Sequence, residues 1–390
     1  MPDSEYVLNH HARLLLTVTT PVRHSELQSR SMILNQERGF LQGVHRLLSS
    51  GLVDSLARLL ENPDPSALPA EHVQWLLEMG VLLPAEQMAR TPVFEPELEA
   101  WGETAGLAAG LPDEPLVLNP SLCEQVEAAP PAHLAAQLPG WEQMSGRRPL
   151  LWLRTPLSQI WLPLWLPPQV REQMAKGGEL DAGLQASLYQ AGVLIPASQA
   201  DWGGPGRTAH IAGLRRQLQQ QEYLSLRQVL PQAHLRALSA YVRTLASEGF
   251  FQKGDPMVPE RNGIHNEPLM RFLHLQITPF LQEILGEPIR ASYAFLADYQ
   301  PGAVLRKHTD RSQCDWNLSL VLDMQPQGSP PWPFYLENAA GTAKIELGVG
   351  DLVFYSGTRN PHWREQLPAG QVATVVFFHF VSPGYSGTLL

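Results

Sequence analysis

Three side chains in the last third of the sequence have the types and spacing to hold a metal. His308 and Asp310 stand two positions apart in His308-Thr309-Asp310, and His362 follows 54 residues after His308 in Asn360-Pro361-His362-Trp363-Arg364. In an extended segment, side chains two positions apart leave the backbone on one side, so an imidazole nitrogen and a carboxylate oxygen converge on one ion from a single strand end. The third ligand has to be delivered by another strand. Two neutral imidazoles and one carboxylate leave three positions of an iron(II) ion open, enough for a bidentate co-substrate and dioxygen. In a chain with 13 histidines a His-x-Asp tripeptide alone is weak, and its setting gives it weight. It follows a strand-like run and a Gly turn, and Gly350-Asp351 opens the strand Leu352 to Tyr355 that leads on to His362.

Other polar residues near this constellation have plainer readings. Arg311 and Asn317 flank it, where they either orient ligands, touch substrate or serve a turn. His265, His274 and His379 read as structural histidines. Cys314 reads as a small packing residue, since no His-based activation surrounds it. The stretch Gln325 to Pro333, with Trp332, falls between strands and offers either a lid over the site or a plain connection.

Positioning such ligands calls for a β framework. From Ser292 onward, short runs rich in Val, Leu, Tyr and Phe are bounded by Gly, Pro, Asn and Asp: Ser292 to Ala297, Asn317 to Leu322, Phe334 to Leu336, Ala343 to Leu347, Leu352 to Tyr355 and Ala373 to Phe380. Helical periodicity precedes them. Spaced apolar residues from Ile211 to Ala246 suit two helices joined near Pro231, and Leu269, Phe272, Leu273, Ile277, Leu281 and Leu285 mark a third over Glu267 to Leu285. Strands after helices suggest a helix-backed jelly roll.

The first half carries a weak internal duplication. Leu14 to Val22 resembles Pro149 to Leu157, each a short strand ending in Thr-Pro, and Met79 to Gln87 resembles Ala191 to Gln199 around Gly-Val-Leu-Leu-Pro and Gly-Val-Leu-Ile-Pro. Each of the later segments follows a helical pattern, and its Gly supplies a helix stop before a short strand. The expected fold is therefore α+β: a C-terminal double-stranded β-helix backed by helices, preceded by two small duplicated winged-helix-like α/β modules. Boundaries are expected at 1–115, 116–205 and 206–390. The modules read either as packing domains or as a peptide- or protein-recognition region.

Composition bounds the rest. At 390 residues and 44% hydrophobic, the chain buries one or two sizeable cores. A net charge of −10, with no basic run longer than Arg147-Arg148 or Arg215-Arg216, works against nucleic acid as a partner. Apolar runs such as Val375 to Phe378 are too short to cross a bilayer, and the N-terminus lacks a signal-peptide pattern, so the expected location is cytoplasmic, without membrane association. Two cysteines, Cys123 and Cys314, are too few for a disulfide framework or a thiolate zinc site.

Tyr299-Gln300-Pro301-Gly302, whose Gly lies six residues before His308, resembles together with His308-Thr309-Asp310 the Tyr-x-x-Gly-x5-His-x-Asp signature of a known family. That family is the prolyl-4-hydroxylase-like branch of the iron(II)/2-oxoglutarate-dependent dioxygenases. The resemblance covers roughly residues 250–385 and none of the N-terminal half. It implies Fe(2+) held by His308, Asp310 and His362, 2-oxoglutarate as co-substrate steadied by Tyr299, and hydroxylation of a C–H bond; the first expectation for the substrate is a peptide, protein or amino-acid derivative, with the duplicated N-terminal half as the recognition element. Asp310 argues against the halogenating variant of the chemistry, in which a small residue replaces the carboxylate. One departure stands out. The family carries a Lys or Arg about nine to twelve residues past the distal His to pair with the far carboxylate of 2-oxoglutarate, and here that window, Gln371 to Thr374, has none. Arg364 has the strand parity of His362 and is the nearest substitute; Arg306 and Arg359 are weaker ones, and Thr374 offers a hydroxyl. Without that cation, a jelly-roll iron enzyme that does not use 2-oxoglutarate stays open, as does a catalytically idle jelly roll that serves as an interaction protein.

Overall fold

The computed structural model describes residues 6–8, 12–18, 29–37, 40–47, 50–61, 65–78, 81–84, 92–98, 111–125, 150–176, 180–201 and 204–387. Proximity of Cα atoms divides the chain into two units, residues 1–91 with 244–253, and residues 92–243 with 254–390.

In the first unit, β1 (Tyr6–Leu8) pairs antiparallel with β5 (Leu82–Pro84), and β2 (Ala12–Val18), β3 (Ser29–Glu37) and β4 (Phe40–Leu47) form an antiparallel sheet in that order. Between them lie α1 (Ser50–Glu61) and α2 (Ala70–Glu78), with a small core of Leu59, Leu68, Leu76, Val81 and Leu82. The second unit also begins with a short strand that a later one closes. β6 (Leu116–Leu118) and α3 (Pro120–Gln125) precede the hairpin of β7 (Leu150–Arg154) and β8 (Trp161–Trp165). Then come α4 (Pro168–Lys176), α5 (Ala182–Gln190) and β9 (Leu194–Pro196), which pairs back with β6. The equivalence extends to single bonds: Val81 N–H donates to Leu76 O at 2.8 Å, and Val193 N–H to Leu188 O at 2.9 Å. In each copy an apolar residue just past the helix leads into the closing strand, but the first unit has the three-stranded sheet β2-β3-β4 where the second has α3 and the hairpin β7-β8. The segments at 19–22, 79–80, 85–87 and 149 lie outside the described residues.

The framework of the candidate site follows, in the second unit except for residues 244–253. α6 (Pro205–Gln221), β10 (Tyr223–Leu226), α7 (Gln232–Ser247), β11 (Arg261–His265) and α8 (Pro268–Leu285) lead into β12 (Arg290–Tyr299), β13 (Leu305–His308), β14 (Trp316–Gln325), β15 (Phe334–Asn338), β16 (Gly341–Ile345), β17 (Leu352–Ser356), β18 (His362–Arg364) and β19 (Val372–Val381). Two antiparallel sheets result, one ordered β10-β17-β14-β19-β12-β11 and the other β13-β18-β15-β16. They enclose an apolar interior of Tyr299, Leu305, Val321, Phe334, Leu336, Val353, Tyr355, Ala373 and Val375, the layout of a jelly roll. Alternation sends the other residues of the larger sheet outward. There α8 covers them, with the His274 ring 4.9 Å from Phe378 and 4.7 Å from Phe380. The helix is bounded by local chemistry: Glu267 caps its start by accepting from Met270 N–H at 2.9 Å, and Gly286 ends it at φ +77°, a conformation that suits glycine. Among the described residues, no helix is long and apolar enough to cross a membrane.

Candidate metal centre

His308 ends β13 and His362 begins β18, and these residues are register partners in the smaller sheet. Asp310 lies just past β13, its N–H donating to Gly357 O at 2.8 Å. The three side chains converge so that one ligand atom of each lies within 4.8 Å of the others. Nε2 of His308 is 3.6 Å from Asp310 Oδ1, and Nε2 of His362 is 3.5 Å from Asp310 Oδ2. Both imidazoles are fixed from behind: Nδ1 of His308 donates to Arg306 O at 2.7 Å and Nδ1 of His362 to Asn360 O at 2.9 Å. That arrangement leaves Nε2 of each ring unprotonated in the neutral form and aimed at the shared centre, as metal-ligating histidines are usually held.

Burial opposes charge on Asp310, but the polar contact with His308 and the nearby His362 and His379 bring its pKa below the ordinary carboxylate value. For His308, burial is outweighed by its bonds to Asp310 and the Arg306 carbonyl, and its pKa rises; for His362, burial wins over Asp310 and its pKa falls. Asn317 also donates from Nδ2 to Asp310 Oδ2, while its Oδ1 accepts from His379 Nδ1 at 2.6 Å. The carboxylate needs a neighbour without a side chain. A Cβ on Gly357 would lie 2.5 Å from Asp310 Oδ2, from Asn317 Nδ2 and from Cys314 O.

Arg364 keeps the parity of His362 and is 1% exposed, its guanidinium 4.7 Å from the Trp332 ring and 5.4 Å from Phe334. Its Nη1 donates to Trp332 O, while Nε and Nη2 are buried without a hydrogen-bond partner. Burial pushes its pKa down to about 10, against the pull of the Tyr299 and Tyr355 hydroxyls. Tyr299 is fully buried in the same interior. Thr374 is not brought to this face: it alternates to the opposite side of β19, where its hydroxyl donates to Asp298 Oδ1 at 2.9 Å. Arg306 is exposed and contributes only its carbonyl, and Arg359 donates to Ser356 Oγ at 2.9 Å and lies over Trp316. Trp332 is not on a lid. It is 3% exposed, donates to Glu365 O at 2.9 Å and forms part of the interior. Cys314 is buried, which pushes its thiol up to about 11 and keeps it protonated.

Two residues that the sequence reading passed over touch this cluster. Tyr355 sets its ring 4.8 Å from His362, edge on. Arg261, on β11, donates from Nη1 to Tyr299 Oη at 3.2 Å and pairs with Asp255 at 2.8 Å. Its pairing with Tyr299 depends on strand register, which no local pattern discloses.

No family model matches the chain, and no curated protein matches it. Solved structures do. A prolyl-4-hydroxylase of Pseudomonas putida is 21% identical, covering 45% of this chain and 100% of its own, with a TM-score of 0.38. HygX of Streptomyces hygroscopicus, solved with nickel, 2-oxoglutarate and hygromycin B, is 10% identical over 44% of this chain and 88% of its own, TM-score 0.37. A prolyl hydroxylase of Trichoplax adhaerens, in complex with a hypoxia-inducible factor peptide, is 15% identical over 44% of this chain and 90% of its own, TM-score 0.38.

Proposed function

We propose that this protein is an iron(II)- and 2-oxoglutarate-dependent oxygenase that hydroxylates a C–H bond of a peptide, protein or amino-acid-derived substrate. The observation that carries this reading is the convergence of two back-bonded imidazoles and one carboxylate beside a buried guanidinium with two unpartnered nitrogens. A donor set of two nitrogens and one oxygen, without thiolate, suits iron(II). An unpaired charge buried among aromatic rings costs several kcal/mol, and a dianionic co-substrate is the kind of ligand that offsets it.

When bound, iron(II) with 2-oxoglutarate and dioxygen supplies the oxidising chemistry: 2-oxoglutarate goes to succinate and carbon dioxide while one oxygen atom is placed on a substrate carbon. His308, Asp310 and His362 would hold the ion, each through one ligand atom. Arg364 would receive the far carboxylate, its Nε and Nη2 being the buried donors left without a partner. The Tyr299 hydroxyl accepts from Arg261, so its own proton remains to be donated to that same carboxylate. Trp332, Phe334 and Tyr355 exclude water around the ligand.

The two repeated modules, winged-helix-like in their expected form, recognise substrate. The test is succinate formation from 2-oxoglutarate by the iron(II)-loaded full chain, with Asp310→Ala as control. Equal succinate from the wild type and this variant would sink the reading.

A further inference from the structure

The proposed chemistry leaves one arrangement beside the metal centre unused. Arg311 directly follows the ligand Asp310 and is exposed; its guanidinium stands 5.4 Å over the Tyr293 ring and donates from Nη2 to Tyr293 Oη at 3.1 Å. It also lies within reach of the Cys314 thiol. Arg207, Arg227, Arg243, Arg261, Lys307 and Lys344 all have carboxylate partners, whereas Arg311 has none within ion-pair distance among the described residues.

On the edge strand β11, His265 is also exposed, its ring 5.5 Å from Tyr293 and 4.8 Å from Phe295. Arg311 and His265 thus share an aromatic floor. Gly263 keeps that floor in place, because a Cβ there would lie 2.4 Å from the Phe295 ring, which leans across the strand. The floor reaches the metal centre through one layer: the Tyr293 ring is 4.3 Å from His379, which bonds Asn317, which holds Asp310. Tyr293 and Tyr299 are six residues apart on β12, about 20 Å at strand rise, so this subsite and the Arg364 pocket are at different levels of the barrel. In a chain of net charge −10, an exposed guanidinium beside an imidazole over aromatic rings is an anion-recognition arrangement.

We infer that Arg311 and His265 form a carboxylate-binding subsite on the substrate side of the metal centre, and that the substrate is a peptide or amino-acid derivative with an acidic group near the carbon presented to the metal. The inference rests on the oxygenase reading above. Arg261 closes the far end of the floor, 5.3 Å over Phe295, but its charge is already matched by Asp255. Specificity therefore turns on Arg311.

The experiment uses the full chain loaded with cobalt(II) and 2-oxoglutarate, whose visible absorption reports a molecule entering beside the metal. The probes are blocked tripeptides Gly-Xaa-Gly with Asp, Asn, Glu or Gln at the centre, acid and amide differing in charge alone. At least one acid is expected to bind ten times more tightly than its amide twin. In Arg311→Gln that preference should fall below threefold, with Arg311→Lys retaining part of it and His265→Ala weakening it less, while affinity for cobalt and 2-oxoglutarate stays within twofold. Acids binding no better than amides, including no binding by either, overturns the inference, as does a preference that survives in Arg311→Gln. If the wild type takes up no cobalt or 2-oxoglutarate before peptide is added, the oxygenase reading fails, and the inference with it.

Discussion

Arg364 and Arg311 sit on the two flanks of one metal centre and treat their charge in opposite ways. Arg364 is sealed among Trp332, Phe334, Tyr299 and Tyr355, with two nitrogens unsatisfied and its pKa pushed down to about 10 by burial. Arg311 stands in solvent against Tyr293, at little desolvation cost. A cation buried without a partner is destabilising, and folding alone gives no reason to keep it. An exposed one is nearly neutral for stability. On the proposed reading, the inner flank commits binding energy to a ligand of fixed shape and charge, whereas the outer flank selects among molecules that arrive from water.

The most damaging change is expected at the element common to both flanks. Asp310→Ala should weaken iron(II) or manganese(II) binding roughly a hundredfold or more, since a ligand is lost where loss of a mere supporting residue costs 10- to 100-fold. Both flanks then lose function together. Metal content of the folded variant checks this, and undiminished loading would show that the three residues are not the ligand set.

Gly357→Ala tests the framework more gently. The added methyl meets Asp310 Oδ2, Asn317 Nδ2 and Cys314 O, each at 2.5 Å, so the carboxylate and its Asn317 bond must shift. A tenfold or greater fall in manganese affinity is expected, measured by titration. Unchanged affinity would mean that the loop relaxes without moving the carboxylate, and that close approach at Gly357 does not set the geometry.

Arg364→Met separates the flanks. Affinity for 2-oxoglutarate should fall at least tenfold, about 1.4 kcal/mol, with metal binding preserved. The metal-free chain should become more stable by about 1 kcal/mol or more, because an uncompensated buried charge is replaced by an apolar side chain. Arg311→Gln, by contrast, should stay within about 0.5 kcal/mol of the wild type in stability. Calorimetric titration and thermal unfolding read the two effects. A Met variant that loses stability and keeps 2-oxoglutarate affinity would reduce Arg364 to a structural residue.

Much of the barrel was legible because its strands alternate or run apolar between turn residues. The six expected strands all occur, extended at one or both ends or, for Gly341–Ile345, shifted by two residues. Four were missed: β10, β11, β13 and β18, of three to five residues each. Segments such as Leu305–His308 and His362–Arg364 carry too few residues for a period to show, and pairing with distant strands makes them extended. The same limit applies to site residues. Spacing of two residues points to His308 and Asp310 as a pair and to the parity of Arg364 with His362, whereas the Arg261–Tyr299 contact arises from register across two strands. Thr374 has the right position in the chain and the wrong parity, since its neighbours Ala373 and Val375 face the barrel interior.

Tyr299 offers the smallest effect and the sharpest discrimination on the inner flank. Its hydroxyl accepts from Arg261 Nη1 at 3.2 Å, which leaves one proton to donate. If that proton goes to a carboxylate already paired with Arg364, then Tyr299→Phe removes one hydrogen bond from the ligand, worth about 1 kcal/mol, and 2-oxoglutarate affinity should fall roughly fivefold. The variant also frees Arg261 Nη1, but that guanidinium keeps Asp255 at 2.8 Å and is not left without a countercharge. The loss should therefore be smaller than for Arg364→Met, and adding Tyr299→Phe to Arg364→Met should change little, because both act on one carboxylate. A calorimetric titration of the manganese-loaded single and double variants measures the ordering. Were Tyr299→Phe the more damaging of the two, the carboxylate would be held from the β11 side, by Arg261 acting with Tyr299, and the unsatisfied nitrogens of Arg364 would need another ligand.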